Sequence, residues 1–213
     1  MANLAVIDPS KTPLYYILPA ANLPAVLANG FILSHRLVTQ VGGPAVNASY
    51  GHIQERRGQK LVPSNGRQRL LSSFVPFYFC PRSPMLYTIN LGNTGRPKGF
   101  QSEILHLATT MQIAMSIAQG WAFSDVGGGA AYVSFFNDLQ RLDQLDWGII
   151  QSDSWANRAT QKSAEFLVPD RFPWTGILQI GCHNQEVADR IANLVANLAH
   201  RPQVTIQRGW YFQ

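Results

Sequence analysis

The segment Lys162-Ser163-Ala164-Glu165-Phe166-Leu167-Val168 places a single carboxylate at the head of an apolar run. The run predicts a largely buried strand, and it follows a polar loop over residues 151–162. Burying an isolated carboxylate costs free energy unless the group is paired or hydrogen-bonded. Glu165 is therefore either half of a structural ion pair or a functional group, and the residues alone leave both interpretations open.

The other glutamates have simpler explanations. Glu186 fits the first turn of a helix, where a negative charge opposes the helix dipole. Glu103 stands at a strand start and is expected to be exposed, and Glu55 stands beside arginines with which it can pair. Glu165 is thus the glutamate that the pattern singles out.

Outward from Glu165, short apolar runs alternate with helical patterns, which predicts one mixed α+β domain over residues 1–213. The clearest helix is 184–200, with an apolar stripe on one face and Asn184 as its cap. Other helices are expected over 22–30, 85–89, 109–118 and 138–145. Strands are expected over 13–18, 31–33, 74–80, 104–107, 122–124, 164–168, 177–180 and 204–206.

Residues 36–70 are polar and basic, with a short helix expected from His52 to Arg57. A long polar segment inside a compact domain is usually functional or mobile. Its cations form either a solvated loop or a surface for a polyanion, and both interpretations remain open; they are Arg56, Arg57, Lys60, Arg67 and Arg69.

Composition bounds the classes of function. The chain has 213 residues and a net charge of +5, which is compatible with a nucleic-acid or dinucleotide partner. We see no transmembrane run, no signal peptide and no metal-ligand spacing, and Cys80 and Cys182 look like reduced core residues, so a cytoplasmic protein without a metal is expected. Gly127-Gly128-Gly129 is only weak evidence for a phosphate-binding loop.

Several stretches occur in an order that is typical of one family. The most specific is Val75-Pro76-Phe77-Tyr78-Phe79-Cys80-Pro81-Arg82-Ser83-Pro84-Met85-Leu86-Tyr87. The others are Leu14-Tyr15-Tyr16-Ile17 with Asn22-Leu23 and Gly30, Ile53-Gln54-Glu55-Arg56-Arg57, Phe135-Phe136-Asn137-Asp138-Leu139, Asp146-Trp147, Ala164-Glu165-Phe166-Leu167-Val168, and Phe172-Pro173-Trp174. With these motifs the chain resembles the DarT family of DNA ADP-ribosyltransferase toxins, the toxic halves of DarT–DarG toxin–antitoxin pairs.

The resemblance implies an ADP-ribosyltransferase-like fold, in which two small packed antiparallel or mixed sheets flanked by helices hold NAD in a cleft. It implies transfer of one ADP-ribose from NAD to thymine or guanine in single-stranded DNA. It also implies a macrodomain antitoxin as partner, and we expect a monomer. The alternatives are a transferase that modifies RNA or protein, and a nucleic-acid-binding module without catalysis.

The resemblance assigns roles to particular residues. Glu165 would be the catalytic carboxylate, and one of Arg56 and Arg57 the functional arginine, of which we favour Arg56. The side chains expected to contact NAD are Tyr16, Ile17, Leu18, Asn22, Leu33, Arg56, Phe79 and Tyr87. Those expected to contact DNA are Tyr50, Arg57, Trp155, Arg158 and Lys162, although Trp155 would equally serve to pack its loop down.

The chain departs from the family pattern at two places. The family usually has a histidine where this chain has Tyr16, and it tends to have Thr-Asp-Gly-His where this chain has Ser124-Asp125-Val126-Gly127. Both departures concern the expected substrate site, which points to a divergent branch of the family.

Overall fold

The structure is a computed structural model that describes residues 7–46 and 57–213. Its strands are β1 (Pro13–Pro19), β2 (Phe31–Leu33), β3 (Leu61–Ser64), β4 (Arg67–Leu70), β5 (Phe74–Tyr78), β6 (Ile104–Thr110), β7 (Ala122–Ser124), β8 (Phe135–Phe136), β9 (Glu165–Pro169), β10 (Arg171–Pro173), β11 (Gln179–Cys182) and β12 (Gln203–Ile206). Its α-helices are α1 (Leu23–Asn29), α2 (His35–Gln40), α3 (Pro84–Asn90), α4 (Met111–Ile117), α5 (Trp147–Gln151), α6 (Ala159–Lys162) and α7 (Gln185–Val195).

Eight strands form one hydrogen-bonded order, β12-β11-β6-β1-β5-β9-β7-β8. Within it β11 and β12 run parallel, while the other neighbours are antiparallel. β1 pairs with β6 along its whole length, but it pairs with β5 through the single Cα pair Tyr15–Tyr78. The strand order therefore consists of two four-stranded halves that meet at one point, which confirms the predicted α+β fold.

The central strands are buried because helices and loops cover them. In β9 all five residues are buried, and β6 is buried except at its last residue. α7 packs Val187, Ile191 and Val195 into the core, and the Asn184 side chain accepts a hydrogen bond from the Val187 N–H at 2.9 Å. The predicted helix 184–200 is confirmed in position but ends at Val195.

The polar segment 36–70 contains more regular structure than the one short helix predicted for it. β3 and β4 form a hairpin whose turn places Asn65 at φ 49° and Gly66 at φ 73°. Asn-Gly is the preferred pair for such a turn, so this hairpin was missed although its signal is present. The helix expected over His52–Arg57 lies outside the described residues except at its last position.

Three smaller expectations can also be compared with the structure. Residues Leu139–Gln144 form a 3-10 helix rather than the expected α-helix. Cys80 and Cys182 are free and buried. In the described parts of the chain, no helix combines the length and the apolar character needed to cross a bilayer.

A buried histidine lies at the junction of β1, β6 and β11. His106 is fully buried and surrounded by the rings of Tyr15, Trp210 and Tyr211. Its Nε2 lies 2.9 Å from the Pro81 carbonyl oxygen, while Nδ1 has no hydrogen-bond partner. Burial lowers the pKa of His106 from 6.5 to about 4, so the ring is neutral at neutral pH and donates through Nε2.

This histidine makes the stability of the fold depend on pH. The unfolded chain binds a proton at His106 below pH 6.5, whereas the folded chain binds it only near pH 4. The free energy of unfolding should therefore fall as the pH drops through this window, by up to about 3 kcal/mol. Urea unfolding of wild type and His106→Gln at pH 7 and pH 4.5 tests this, because glutamine keeps a donor but does not titrate. An equal loss of stability in both proteins would contradict it.

Candidate active site

The predicted carboxylate forms a buried ion pair with an arginine. Glu165 begins β9, and its backbone N–H donates to the Ser124 hydroxyl at 3.1 Å. Arg57 Nη1 lies 2.7 Å from Oε1 and 2.9 Å from Oε2 of Glu165. The side chains are only 11% and 4% exposed for Arg57 and Glu165. Hydrogen bonds thus hold both the backbone N–H and the carboxylate oxygens of Glu165, and its charge is paired with that of Arg57.

Electrostatics favour the charged form of this arginine. Burial alone would lower the pKa of Arg57, but the charge of Glu165 and its hydrogen bonds outweigh burial and raise it. Breaking such a pair by removing one partner leaves an uncompensated buried charge. Both hydrogen bonds to Glu165 come from Nη1, so the arginine side of the contact is monodentate.

Two tyrosines belong to the same site. Tyr78 is the cross-strand partner of Glu165 and was not among the predicted site residues. Burial raises the pKa of Tyr78, and the charge of Glu165 raises it further. Burial raises the pKa of Tyr16 to about 12. Both phenols therefore stay protonated at neutral pH and can donate a hydrogen bond. The signal that would have found Tyr78 is its place in the strand that pairs with the Glu165 strand.

The ion pair lies in the wall of a cavity of about 300 Å³ between the two halves of the sheet. β1 contributes residues 16–19 to its lining, and β5 contributes Pro76 and Tyr78. The same cavity is lined by five of the side chains expected to contact NAD: Tyr16, Ile17, Leu18, Asn22 and Leu33. These five, predicted from separate parts of the chain, are brought together with Glu165.

A strap formed by residues 41–46 covers one side of this cavity. The Asn22 side chain holds it, because its Nδ2 donates to the Val46 carbonyl and its Oδ1 accepts from the Val46 N–H, both at 2.8 Å. Asn22 directly precedes α1, but its side chain makes no capping bond to that helix. Its polar atoms instead fix the strap over the cavity.

Two other expected NAD contacts lie elsewhere. Phe79 is buried in the core, where its ring centroid lies 5.2 Å from that of Trp147. Tyr87 is 38% exposed and packs against Trp155 and Phe212. Neither residue lines the cavity around Glu165. Both come from the aromatic stretch that carries the family resemblance.

The residues expected to contact DNA lie in different surroundings. Tyr50, like Arg56, lies outside the described residues. Arg57 was expected on the DNA surface, but it faces into the cavity and contacts Glu165. Trp155 and Arg158 lie in the loop before Glu165. There Trp155 packs edge-on against Tyr87 with 5.5 Å between ring centroids, and Arg158 forms an ion pair with Asp146.

Lys162 does not fit the expected contact with a phosphate. Its side chain is buried, and Nζ donates to the carbonyl oxygens of Ile150 at 3.0 Å and Ser152 at 2.7 Å. Burial lowers the pKa of Lys162. The ammonium group therefore closes the end of α5 from inside, where a nucleic acid does not reach it.

In residues 7–46 and 57–213, no group of three or more His, Cys, Asp and Glu side chains is placed to hold a metal ion. The polar groups that line the cavity include the ion pair and the two phenols.

The sequence matches the model of a known protein family over most of its length. The family model described as "DarT: ssDNA thymidine ADP-ribosyltransferase" matches residues 15–212. A DNA ADP-ribosyl transferase from Thermus aquaticus is 39% identical over 209 residues, covering 96% of this chain and 91% of that protein.

Solved structures show the same likeness. The structure of Thermus sp. 2.9 DarT in complex with ADP-ribosylated ssDNA has a TM-score of 0.88 at 38% identity, covering 96% of this chain and 98% of the other. The structure of that protein in complex with NAD+ has a TM-score of 0.83 at 34% identity, with coverage of 98% and 100%. Because these matches extend over nearly its whole length, the chain belongs to the DarT family.

Proposed function

We propose that this chain is an NAD-dependent mono-ADP-ribosyltransferase that modifies a base in single-stranded DNA, acting as one domain and as the toxin of a toxin–antitoxin pair. The observation that carries the proposal is the Glu165–Arg57 ion pair in a cavity between two sheet halves of a DarT-family fold. NAD is the co-substrate, as in the relative whose structure contains NAD+.

Glu165 acts on the ribose of NAD. Cleavage of the bond between nicotinamide and ribose develops positive charge on the anomeric carbon, as in glycoside cleavage. A carboxylate fixed beside that carbon stabilises the charge, and apolar walls strengthen its effect. The acceptor nitrogen forms the new bond, nicotinamide leaves with the electron pair of the old bond, and the proton of the acceptor nitrogen passes to solvent.

Arg57 takes the role that the sequence analysis gave to Arg56. It contacts both oxygens of Glu165 through Nη1, which fixes the carboxylate in one orientation. A guanidinium has five N–H donors, so other donors of Arg57 serve the pyrophosphate or the acceptor base. Arg56 lies outside the described residues, and its role in binding NAD or DNA stays a prediction.

The NAD-binding wall consists of the β1 residues and the side chains opposite them. Ile17, Leu18 and Leu33 offer apolar contact, and the protonated Tyr16 hydroxyl stands in for the histidine that the family usually has. Asn22 acts through the strap, because its side chain holds Val46 at the cavity edge. For Phe79 and Tyr87 we propose support of the wall rather than contact with NAD.

The acceptor is proposed to be thymine, the base that the family description names. In thymidine the one ring nitrogen that carries a hydrogen is N3, which is occupied in a base pair, so the base must be unpaired. We expect Trp155 and Arg158, in the loop before Glu165, to meet neighbouring nucleotides by stacking and by charge. Tyr50 is proposed as a further contact.

The setting of the activity is also a proposal. We infer a monomer in the cytoplasm and a macrodomain antitoxin that removes the modification. This partner is what the resemblance to the toxic halves of DarT–DarG pairs implies.

The acceptor is tested by incubating the purified protein and labelled NAD with single-stranded DNA, RNA or cell lysate. We expect label on the DNA, and mass spectrometry should place the added ADP-ribose on thymine. Label on RNA or protein alone would favour the second enzyme class. Binding to DNA without any transfer would favour a non-catalytic module.

Replacement of the carboxylate tests its catalytic role. Glu165→Gln keeps the shape and loses the charge, so transfer to a single-stranded oligonucleotide should fall about 10²- to 10³-fold or more. Binding of NAD, measured by calorimetry, should change little. Glu103→Gln, which alters an exposed carboxylate paired with Arg190, serves as the control and should keep full activity. Near wild-type transfer by Glu165→Gln would overturn the mechanism.

Replacement of the arginines separates their roles. Arg57→Ala leaves Glu165 buried without its partner and should cost about 3–5 kcal/mol of stability together with most of the activity. Arg190→Ala breaks a pair whose side chains are 50% and 40% exposed, and it should cost less than about 1 kcal/mol. Arg56→Ala should be the milder of the two neighbouring changes. Chemical unfolding and the transfer assay measure both effects, and a stronger loss in Arg56→Ala would reverse the assignment.

A further inference from the structure

The glycine loop, residues 127–131, lies directly against the ion pair. A Cβ atom in the ideal position on Gly128 would lie 2.7 Å from Glu165 Oε2, 2.8 Å from Leu71 Cδ2 and 3.2 Å from Arg57 Nη1. The first two distances are shorter than real Cβ contacts allow. The Gly128 backbone therefore occupies a place beside the carboxylate that a residue with a side chain cannot take without moving something.

The glycine loop is fixed on both sides. The Gly127 N–H donates to the Thr160 carbonyl at 2.8 Å, which ties the loop to α6, just before Glu165. On the other side Lys60 Nζ donates to the Ala131 carbonyl at 3.3 Å. Within the loop the Ala130 N–H donates to the Gly127 carbonyl at 2.8 Å. Because of these bonds the loop resists being pushed away from the ion pair.

Of the atoms around Gly128, the carboxylate is the easiest to displace. Leu71 is fully buried, so its side chain has little room to retreat. The glutamate side chain rotates about several bonds, and one side of the ion pair borders the cavity. A methyl group on residue 128 would therefore push Glu165 Oε2 toward the cavity and away from its place on Arg57.

We propose that Gly128 is a positioning residue for the transfer reaction: by lacking a side chain, it lets the glycine loop hold the Glu165 carboxylate against Arg57 in its working orientation. This inference rests on the proposed function of Glu165. It also assigns a purpose to a triple glycine that the sequence analysis could connect only weakly with phosphate.

The kinetic test compares three glycine-to-alanine variants in the DNA transfer assay. Displacing a reacting group by about 1 Å can cost on the order of 10²-fold in rate, so Gly128→Ala should lose about that much kcat. Its KM for NAD should stay within about threefold, because the cavity walls other than the ion pair are unchanged. A kcat within about threefold of wild type would overturn the proposal.

Two control variants separate positioning from general damage. An ideal Cβ on Gly127 would meet Ser163 Cβ at 3.0 Å and not the carboxylate, so Gly127→Ala stresses the same loop but should lose less than about fivefold in kcat. A Cβ on Gly148, in α5, meets Asp146 at an ordinary 3.5 Å, and Gly148→Ala should match wild type. If Gly127→Ala and Gly128→Ala lose kcat equally, and the losses follow the drop in their melting temperatures, the proposal is overturned.

A stability cycle tests the contact without using activity. Gly128→Ala should lower the melting temperature by about 3–8 °C in wild type and by clearly less in Glu165→Ala, where the conflicting carboxylate is gone. If Gly128→Ala does not fold alone, it should fold in the background Arg57→Leu, Glu165→Ala, from which both buried charges are gone. Equal penalties in both backgrounds, or no rescue, overturn the Gly128 contact. Full transfer by Glu165→Ala overturns instead the catalytic role on which the inference rests.

Discussion

The buried ion pair between Glu165 and Arg57 is the interaction on which the rest of the site depends. A carboxylate that is 4% exposed is tolerated in an apolar strand only because a guanidinium lies 2.7 Å away. The surroundings follow from that requirement. Ser124 accepts from the Glu165 backbone, Tyr78 faces it across the sheet, and Gly128 leaves room for its oxygens.

The cavity follows from the topology of the sheet. β1 continues fully along β6 but touches β5 at one Cα pair, so the two halves separate and leave room between them. Glu165 starts the strand next to β5, which brings its carboxylate to this opening. The same apolar walls that would bind a nucleotide also keep water from the ion pair, and charge interactions are stronger there than in water.

Much of the fold could be predicted because burial dictates local pattern. The strands around Glu165, the α7 stripe and the left-handed Gly30 after α1 each carry a signal in a few adjacent residues. The β3–β4 hairpin also carries such a signal, the pair Asn65-Gly66, but it lies in a segment whose overall composition is polar and basic. In the site, Glu165 and the β1 residues could be predicted, because each combines a local pattern with a family motif.

Which cations face inward could not be predicted, and the reason is geometric. The partner that draws Arg57 inward is Glu165, 108 residues further along the chain, so the local sequence around Arg57 does not distinguish it from other cations. Lys162 shows the same limit, because three carbonyl oxygens from α5 and the residue after it surround its ammonium group. Net charge therefore overstates the basic surface of this protein. Arg57 pairs with Glu165 and Lys162 donates to carbonyl oxygens inside the fold, so the proposed contacts to DNA rest on side chains such as Trp155 and Arg158 in the loop before Glu165.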